Sequence, residues 1–140
     1  IGDVSRKYKL EKLIKLDNLD NVKIKPPISR EKLIHYYQIA DILLLNLDCV
    51  EAFKKVLPSK IFEYGSTFKP ILAGVNGHAK VFCDSNIPNI KCFRPSDPND
   101  AVIKIKQLEL KLVDRENFCK QFSRDNIMIG MSCDVLNLIS

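Results

Sequence analysis

Ala40-Asp41-Ile42-Leu43-Leu44-Leu45 is the stretch that decides the fold of this chain. The four apolar residues at 42–45 are too few to cross a bilayer, and they predict a short strand. A strand that is apolar at every position is buried on both faces, which is typical of parallel sheets covered by helices. We therefore expect a parallel sheet with helices on its two faces.

The segments on either side of this strand alternate between strand and helix patterns. Further strands are predicted at residues 22–25, 70–74 and 90–93. Helices are predicted at residues 5–16, 29–40, from 58, 77–86, 97–112 and from 114, the last with a break near Gly130. Short strands that alternate with helices indicate right-handed crossovers and one open sheet. The predicted fold class is α/β, a Rossmann-like parallel sheet with flanking helices in a single domain, 1–140.

Composition and charge are those of an ordinary globular protein. The 140 residues are 46% hydrophobic and 28% charged, with 22 basic and 17 acidic residues and a net charge of +5. This charge attracts an anionic ligand or an anionic membrane surface but identifies neither, and a solvated surface richer in Lys than in Glu is an equal alternative. Aromatic residues are not interleaved with a basic stripe, so nucleic acid is not an expected partner.

The cysteines and histidines do not have the spacing of a metal site or a disulfide framework. The five cysteines form no C-x-x-C pair, and we interpret them as reduced thiols that mostly pack the core. His35 is interpreted as a surface or packing residue rather than a base. The chain begins at Ile1 without a Met and has no signal peptide, so we expect it to be a piece of a longer protein.

Four loops are predicted to line one ligand crevice. In open parallel sheets a ligand lies outside the carboxyl ends of the strands. That rule selects the loops at residues 2–3, 26–29, 46–60 and 74–78. His78 lies at the edge of this crevice and either approaches the ligand or is a loop histidine without a role.

The most informative of these loops runs into a helix at residues 58–59. Free backbone N–H groups at a helix start bind anions, and Lys54, Lys55 and Lys60 add the positive charge that a diphosphate requires. Glu63 lies about one turn further along, where a carboxylate can accept hydrogen bonds from a ribose diol. The alternative is a capped helix beside a solvated lysine cluster.

Several motifs in the same order resemble one enzyme family. PSKIFEY at 58–64 and KPILAG at 69–74 resemble the "PSKxFEY…GKPIxAG" core of retaining glycosyltransferases of family 4. IGD at 1–3 is similar to the family's G-D-G turn, residues 21–29 to its "NVxFxGxV(S/P)" segment, and YQIADI at 37–42 to its "YxxADV" segment. The resemblance covers nearly the whole chain.

The resemblance implies a place within a larger enzyme. These transferases have the GT-B fold, in which two Rossmann-like domains face each other across a cleft. The chain would be the C-terminal, donor-binding half, without its first strand and without the N-terminal acceptor domain. Nothing would then exclude water or position an acceptor, so we expect this piece to be inactive alone and assign it no catalytic residue.

The resemblance also implies the ligands. The donor would be a UDP- or GDP-sugar, and its hexosyl or N-acetylhexosaminyl group would pass to a lipid-linked or saccharide acceptor in the biosynthesis of a surface polysaccharide such as lipopolysaccharide. The enzyme would be cytoplasmic, with peripheral association at the cytoplasmic face of the inner membrane. The nucleotide sugar is the substrate, and neither a metal nor another cofactor is implied.

Donor-binding roles follow from the matched positions. Glu63 matches the second glutamate of the family's E-x7-E element, which binds the ribose hydroxyls. Ser59 and Lys60 match the helix start whose amides hold the distal phosphate. Pro27 and Ile28 match the loop that contacts the base.

Three positions depart from the family pattern. Lys55 stands where the first glutamate of E-x7-E would be, which we interpret as a subfamily trait, and it stays a donor-binding candidate through its charge. Phe68 replaces the glycine of "GKP" at a helix end, so either the helix ends differently or Phe68 is strained. Gly2 keeps the first glycine of G-D-G as a donor-binding candidate, whereas Val4 replaces the second.

Two other functions stay open on the sequence. The half-fold also resembles part of a sugar-nucleotide 2-epimerase, which would need carboxylates and a histidine that we cannot place in this chain. From another class, the chain would be a free-standing Rossmann-like nucleotide-binding or regulatory module, complete at this length. The start at Ile1, on a turn, argues against that module.

Overall fold

The structure is a computed structural model that describes residues 7–139, and its contacts divide the chain into two units, Ile1–Tyr36 and Tyr37–Ser140. In the first unit, helix α1 (Lys7–Leu16) ends where Asn18 takes a φ of 50°. The Leu19 N–H donates to the Ile14 carbonyl over 3.0 Å. This is a Schellman end, and asparagine suits it because its side chain tolerates the left-handed conformation.

Helix α2 (Arg30–Ile39) follows a segment without regular secondary structure. The Ser29 hydroxyl accepts the Lys32 N–H over 3.4 Å and caps the helix, so the helix predicted at 29–40 is confirmed. The strand predicted at 22–25 is wrong. These residues form no backbone hydrogen bond with any described segment, and a strand needs a neighbour that satisfies its N–H and carbonyl groups.

The second unit is built on a parallel sheet of three strands, β1 (Leu43–Asn46), β2 (Ile71–Gly74) and β3 (Ile90–Phe93), in the order β1-β2-β3. Leu43 pairs with Ile71, which pairs with Ile90. The fold is therefore α/β with a parallel sheet, as predicted and consistent with a Rossmann-like architecture, but with three strands in the described residues rather than four.

Five helices of this unit flank the sheet or follow it, and a short 3₁₀ helix, Glu51–Lys55, lies inside the predicted loop 46–60. They are α3 (Lys60–Gly65), α4 (Gly77–Asn86), α5 (Pro98–Ile105), α6 (Glu116–Gln121) and α7 (Arg124–Ile139).

Alternate residues of the strands point to two separate cores. On one face, Leu43, Ile71 and Cys92 belong to a large cluster that includes buried residues of α3, α4 and α6. On the other face, Leu72 and Phe93 pack with Leu108 and with Ala101 of α5. Helices therefore cover the sheet on both sides.

The prediction that the first of these strands is buried on both faces is wrong. Leu43 and Leu45 are buried, but Leu44 is 59% exposed. Leu44 pairs with Leu72 and lies on the same face of the sheet, yet α5 contacts β2 and β3 rather than the edge strand β1. All four residues of the central strand β2 are buried, as predicted.

The C-terminal helices differ from the prediction in two places. Helix α5 ends at Ile105 instead of 112, because the Asn89 side chain donates to the carbonyl of Glu109 over 2.8 Å and holds the chain beside β3. The break lies at residues 122–123, where the Ser123 hydroxyl accepts the Asn126 N–H over 3.2 Å and starts α7. The helix then runs through Gly130 without a break.

One charged side chain is buried at the amino end of β3. Arg115 is 2% exposed, and its Nε and Nη2 donate to the Pro88 carbonyl over 3.0 and 2.7 Å. Burial lowers the pKa of Arg115 to about 10. This guanidinium ties the chain before α6 to the turn that leads into β3, a role that the sequence analysis did not assign.

Candidate functional site

Glu63 lies on the outward face of α3. Ile61, Tyr64 and Gly65 of this helix are buried, whereas the side chains of Lys60 and Glu63 are 48% and 38% exposed. The spacing of three residues places these two on one side of the helix. The carboxylate therefore faces solvent beside a lysine.

A tyrosine distant in sequence holds this carboxylate. The Tyr37 hydroxyl donates to Glu63 Oε2 over 3.1 Å, and Lys60 Nζ lies 3.8 Å from the same oxygen. The Tyr37 ring meets the Tyr64 ring edge to face, with centroids 5.3 Å apart. We call these four residues the Glu63 cluster. Both of the contacts described for the Glu63 carboxylate engage Oε2.

The electrostatics of the cluster follow from burial and from its charges. Burial raises the pKa of the Tyr64 hydroxyl, nearby Tyr37 and Glu63 raise it further, and Lys60 opposes them. Lys60 Nζ also lies 5.9 Å from the centre of the Tyr64 ring. Tyr64 thus stays protonated at neutral pH, so it is an uncharged neighbour of the Lys60–Glu63 pair.

The start of α3 carries two free backbone amides. The Ile61 and Phe62 N–H groups donate to the carbonyls of Pro58 and Ser59 over 3.0 and 3.1 Å. Among the described residues, nothing accepts the N–H of Ser59 or Lys60, and the Ser59 side chain forms no cap. The helix starts at Lys60 rather than at Pro58. The two residues with free amides, Ser59 and Lys60, are those to which the sequence resemblance assigns phosphate binding.

The lysines near this helix start are less available than the sequence suggests. Lys54 Nζ lies 2.7 Å from a carboxylate oxygen of Glu51, and the hydrogen bond to Glu51 raises the Lys54 pKa. Lys60 lies beside Glu63. Lys55 is exposed and forms no ion pair with any described residue. The unneutralised charge of this segment is therefore carried by Lys55.

Two of the four predicted loops lie together at the carboxyl ends of the strands. The Leu47 N–H, after β1, donates to the Gly74 carbonyl at the end of β2 over 2.9 Å. Gly77 has a φ of 57° and packs on the Lys54 carbonyl so closely that a Cβ would clash with it. Glycine is required there by both its conformation and the contact.

A small cavity lies between these two loops. It has a volume of about 110 Å³, and its lining includes Asp48, Cys49, Lys54, Asn76 and Pro95. A nucleotide needs a larger space, since ligand pockets usually measure roughly 300–1,000 Å³. Glu63 is not part of this lining. The cavity and the Glu63 cluster are therefore separate features of the loop 46–60 and the helix that follows it.

The remaining candidates lie elsewhere. His78 is exposed, in the first turn of α4 and directly after Gly77. Pro27 and Ile28 lie in the first unit, in the segment before α2 that has no regular secondary structure, where Pro27 is exposed and Ile28 half-buried. Gly2 lies outside the described residues.

Phe68 adopts a left-handed backbone conformation that favours glycine. Its φ is 60°, after the end of α3, and its carbonyl accepts the Val113 N–H over 3.0 Å. Of the two outcomes that the sequence left open, strain at Phe68 is the one observed. The helix end is thus of the kind that glycine usually provides, without the glycine.

The sequence does not reveal the partners of Glu63. Tyr37 belongs to a motif in the sequence, but its hydrogen bond to Glu63 spans 26 residues and depends on packing that no local pattern reports. Asn76 directly before Gly77 was a usable signal, since its side chain accepts the Gly77 N–H at the start of α4.

Within residues 7–139, no three His, Cys, Asp or Glu side chains form a group able to hold a metal ion. No helix in that range is long and apolar enough to cross a membrane. In comparisons with known proteins, no protein-family model, no curated protein and no solved structure matches this chain.

Proposed function

We propose that this chain is the nucleotide-sugar-binding domain of a retaining glycosyltransferase, and that Glu63 accepts hydrogen bonds from the ribose hydroxyls of a UDP- or GDP-sugar. The supporting observation is the Glu63 cluster. A carboxylate oriented by Tyr37 and Lys60 lies one turn after the free amides of Ser59 and Lys60. In this proposal one helix binds both parts of the nucleotide. The amides of Ser59 and Lys60 bind phosphate and Glu63 binds the ribose hydroxyls, in the same sequence order as in the family motif.

The wider function follows from the same resemblance. The complete enzyme transfers a sugar to a lipid-linked or saccharide acceptor in surface polysaccharide biosynthesis, in the cytoplasm and peripherally at the cytoplasmic face of the inner membrane. A facing domain supplies the acceptor site and excludes water. The 140-residue chain binds donor weakly and does not transfer sugar by itself.

Calorimetric titration of the chain with UDP and with GDP tests this proposal. We expect millimolar or tighter binding of one of them, and Glu63→Ala should weaken it about tenfold or more, since hydrogen bonds to a charged group contribute roughly 1.5–3 kcal/mol. Tyr37→Phe keeps the ring contact with Tyr64 and should weaken binding less. Glu116→Ala removes an exposed helix glutamate that also lies beside a lysine and should change nothing.

Two results would overturn the proposal. One is the absence of binding for both nucleotides at millimolar concentration. The other is binding that Glu63→Ala and Glu116→Ala affect equally, because the carboxylate of the Glu63 cluster would then have no part in it.

A further inference from the structure

The positive charge of the chain is concentrated in its first unit. Residues 1–36 include nine basic and five acidic side chains, a net charge of +4 out of +5 for the whole chain. The 104 residues of the second unit are close to neutral. Such asymmetry between two parts of a chain indicates an anionic partner for the charged part.

Helix α1 carries most of this charge. Its ten residues include four lysines and one glutamate. Lys7 pairs with Glu11 over 3.9 Å. Lys9, Lys12 and Lys15 form no ion pair with any described residue.

The same helix exposes a row of leucines. Leu10, Leu13 and Leu16 are 44%, 54% and 65% exposed. With 3.6 residues per turn, they lie within an arc of about 120° on the helix surface. Ile14 lies at the edge of this arc, about 40° from Leu10, and lines a groove with Val22 and Ile24. Glu11 and Lys15 line the same groove from the side of α1 that faces away from the leucine row. No residue of α1 is buried, and the leucine row is exposed.

We infer that α1 binds an anionic lipid surface, with Leu10, Leu13 and Leu16 inserted between the headgroups and Lys9 and Lys12 paired with lipid phosphates. An apolar row flanked by lysines on one short helix is the arrangement that interfacial helices use. Each lysine near an anionic membrane strengthens binding about fivefold. This inference gives the peripheral membrane association proposed above a binding element and rests on that part of the proposed function. It is argued from the charge and exposure of α1 and does not depend on nucleotide binding.

A comparison with helix α7 shows that exposed apolar residues alone do not indicate an anionic lipid partner. It is also apolar and exposed, with Met131, Leu136 and Leu138 between 58% and 85% exposed. Its only basic residue is Arg124, and Asp125 and Asp134 accompany it. The net charge of α7 is therefore −1, so this helix is not complementary to an anionic lipid surface.

Flotation of the 140-residue chain with lipid vesicles tests the inference. We expect binding to phosphatidylcholine vesicles that contain 30% phosphatidylglycerol, little binding to pure phosphatidylcholine, and release at high salt. The variant Leu10→Ser/Leu13→Ser should lose binding at least tenfold, and Lys9→Gln/Lys12→Gln about 25-fold. Circular dichroism confirms that the second unit stays folded, since the replaced side chains are exposed.

Matched variants in the second unit test whether vesicle binding is specific to α1 or arises from any exposed apolar or basic residue. Leu136→Ser/Leu138→Ser on α7 and Lys106→Gln/Lys120→Gln should bind vesicles as the unmodified chain does. Glu63→Ala should do so as well, which keeps this result apart from the nucleotide titration. The inference is overturned by equal loss in the α7 variant, by no loss in the α1 variants, or by binding to a single-stranded oligonucleotide but not to anionic vesicles.

Discussion

At the scale of single residues, Phe68 has a backbone conformation that is unfavourable for any residue with a side chain. A φ of 60° costs a non-glycine residue about 1–2 kcal/mol, whereas glycine adopts it freely. The conformation persists because the Phe68 carbonyl accepts the Val113 N–H and because α3 delivers the chain into the buried strand β2 at this point.

The strain at Phe68 can be measured with two variants that both lack the ring. Phe68→Gly should be more stable to urea than Phe68→Ala by about 1 kcal/mol, because only glycine relieves the strain. Leu110, which is exposed and has no positive φ, provides the control, since glycine should be less stable than alanine there. The same order at both positions would contradict strain at Phe68.

For the Glu63 cluster, the sequence indicates candidate residues but not the side chains that contact them. Glu63, Ser59 and Lys60 were candidates because one short motif contains all of them. Their environment was not predictable, since Tyr37 approaches from another helix and Glu51 neutralises Lys54 through a 3₁₀ helix inside a predicted loop. Residue types and spacing are local, whereas pairing between charges depends on where the chain folds back.

At the scale of elements, the best-predicted segments are those with local signals at both ends. Strand β3 and helix α4 have the predicted bounds, and β2 begins one residue later than predicted. The strand at 22–25 and the buried outer face of β1 were wrong, because both required a neighbour that the sequence of the segment cannot reveal.

Two glycines in helices should respond oppositely to alanine. A Cβ on Gly65 would clash with the ring of Phe118, which packs with Phe62 and Phe122. Gly65→Ala should therefore cost about 1–3 kcal/mol in urea denaturation. Gly130 in α7 has open space around it, so Gly130→Ala should increase the helical signal in circular dichroism and not lower stability. Equal midpoints for Gly65→Ala and the unmodified chain would contradict the packing at Phe118.

At the scale of the whole molecule, the five cysteines differ in solvent exposure and so distinguish buried from accessible parts of the chain. All five are free. Cys83 and Cys92 are buried between α4 and β3, whereas Cys49 and Cys133 are exposed. The hydrogen bond with Cys83, together with burial, raises the pKa of Cys92, so little reactive thiolate forms there.

Thiol labelling of the native chain should follow this division. Cys49 and Cys133 should react quickly at pH 8, Cys83 and Cys92 only after denaturation, and half-buried Cys119 at an intermediate rate. Mass spectrometry of the labelled peptides identifies each site. Labelling of Cys83 or Cys92 at the rate of Cys49 would show that the sheet and α4 do not form the closed core described above.

The most direct test of the donor-binding account is NMR titration of the isotope-labelled chain with UDP and with GDP. We expect dose-dependent shifts of the Ser59 and Lys60 amide signals, since no described residue accepts these N–H groups and they are free to bind phosphate. The Val113 amide, bonded to Phe68 and remote from the carboxyl ends of the strands, should stay unchanged. Unchanged Ser59 and Lys60 signals at millimolar nucleotide would contradict the account.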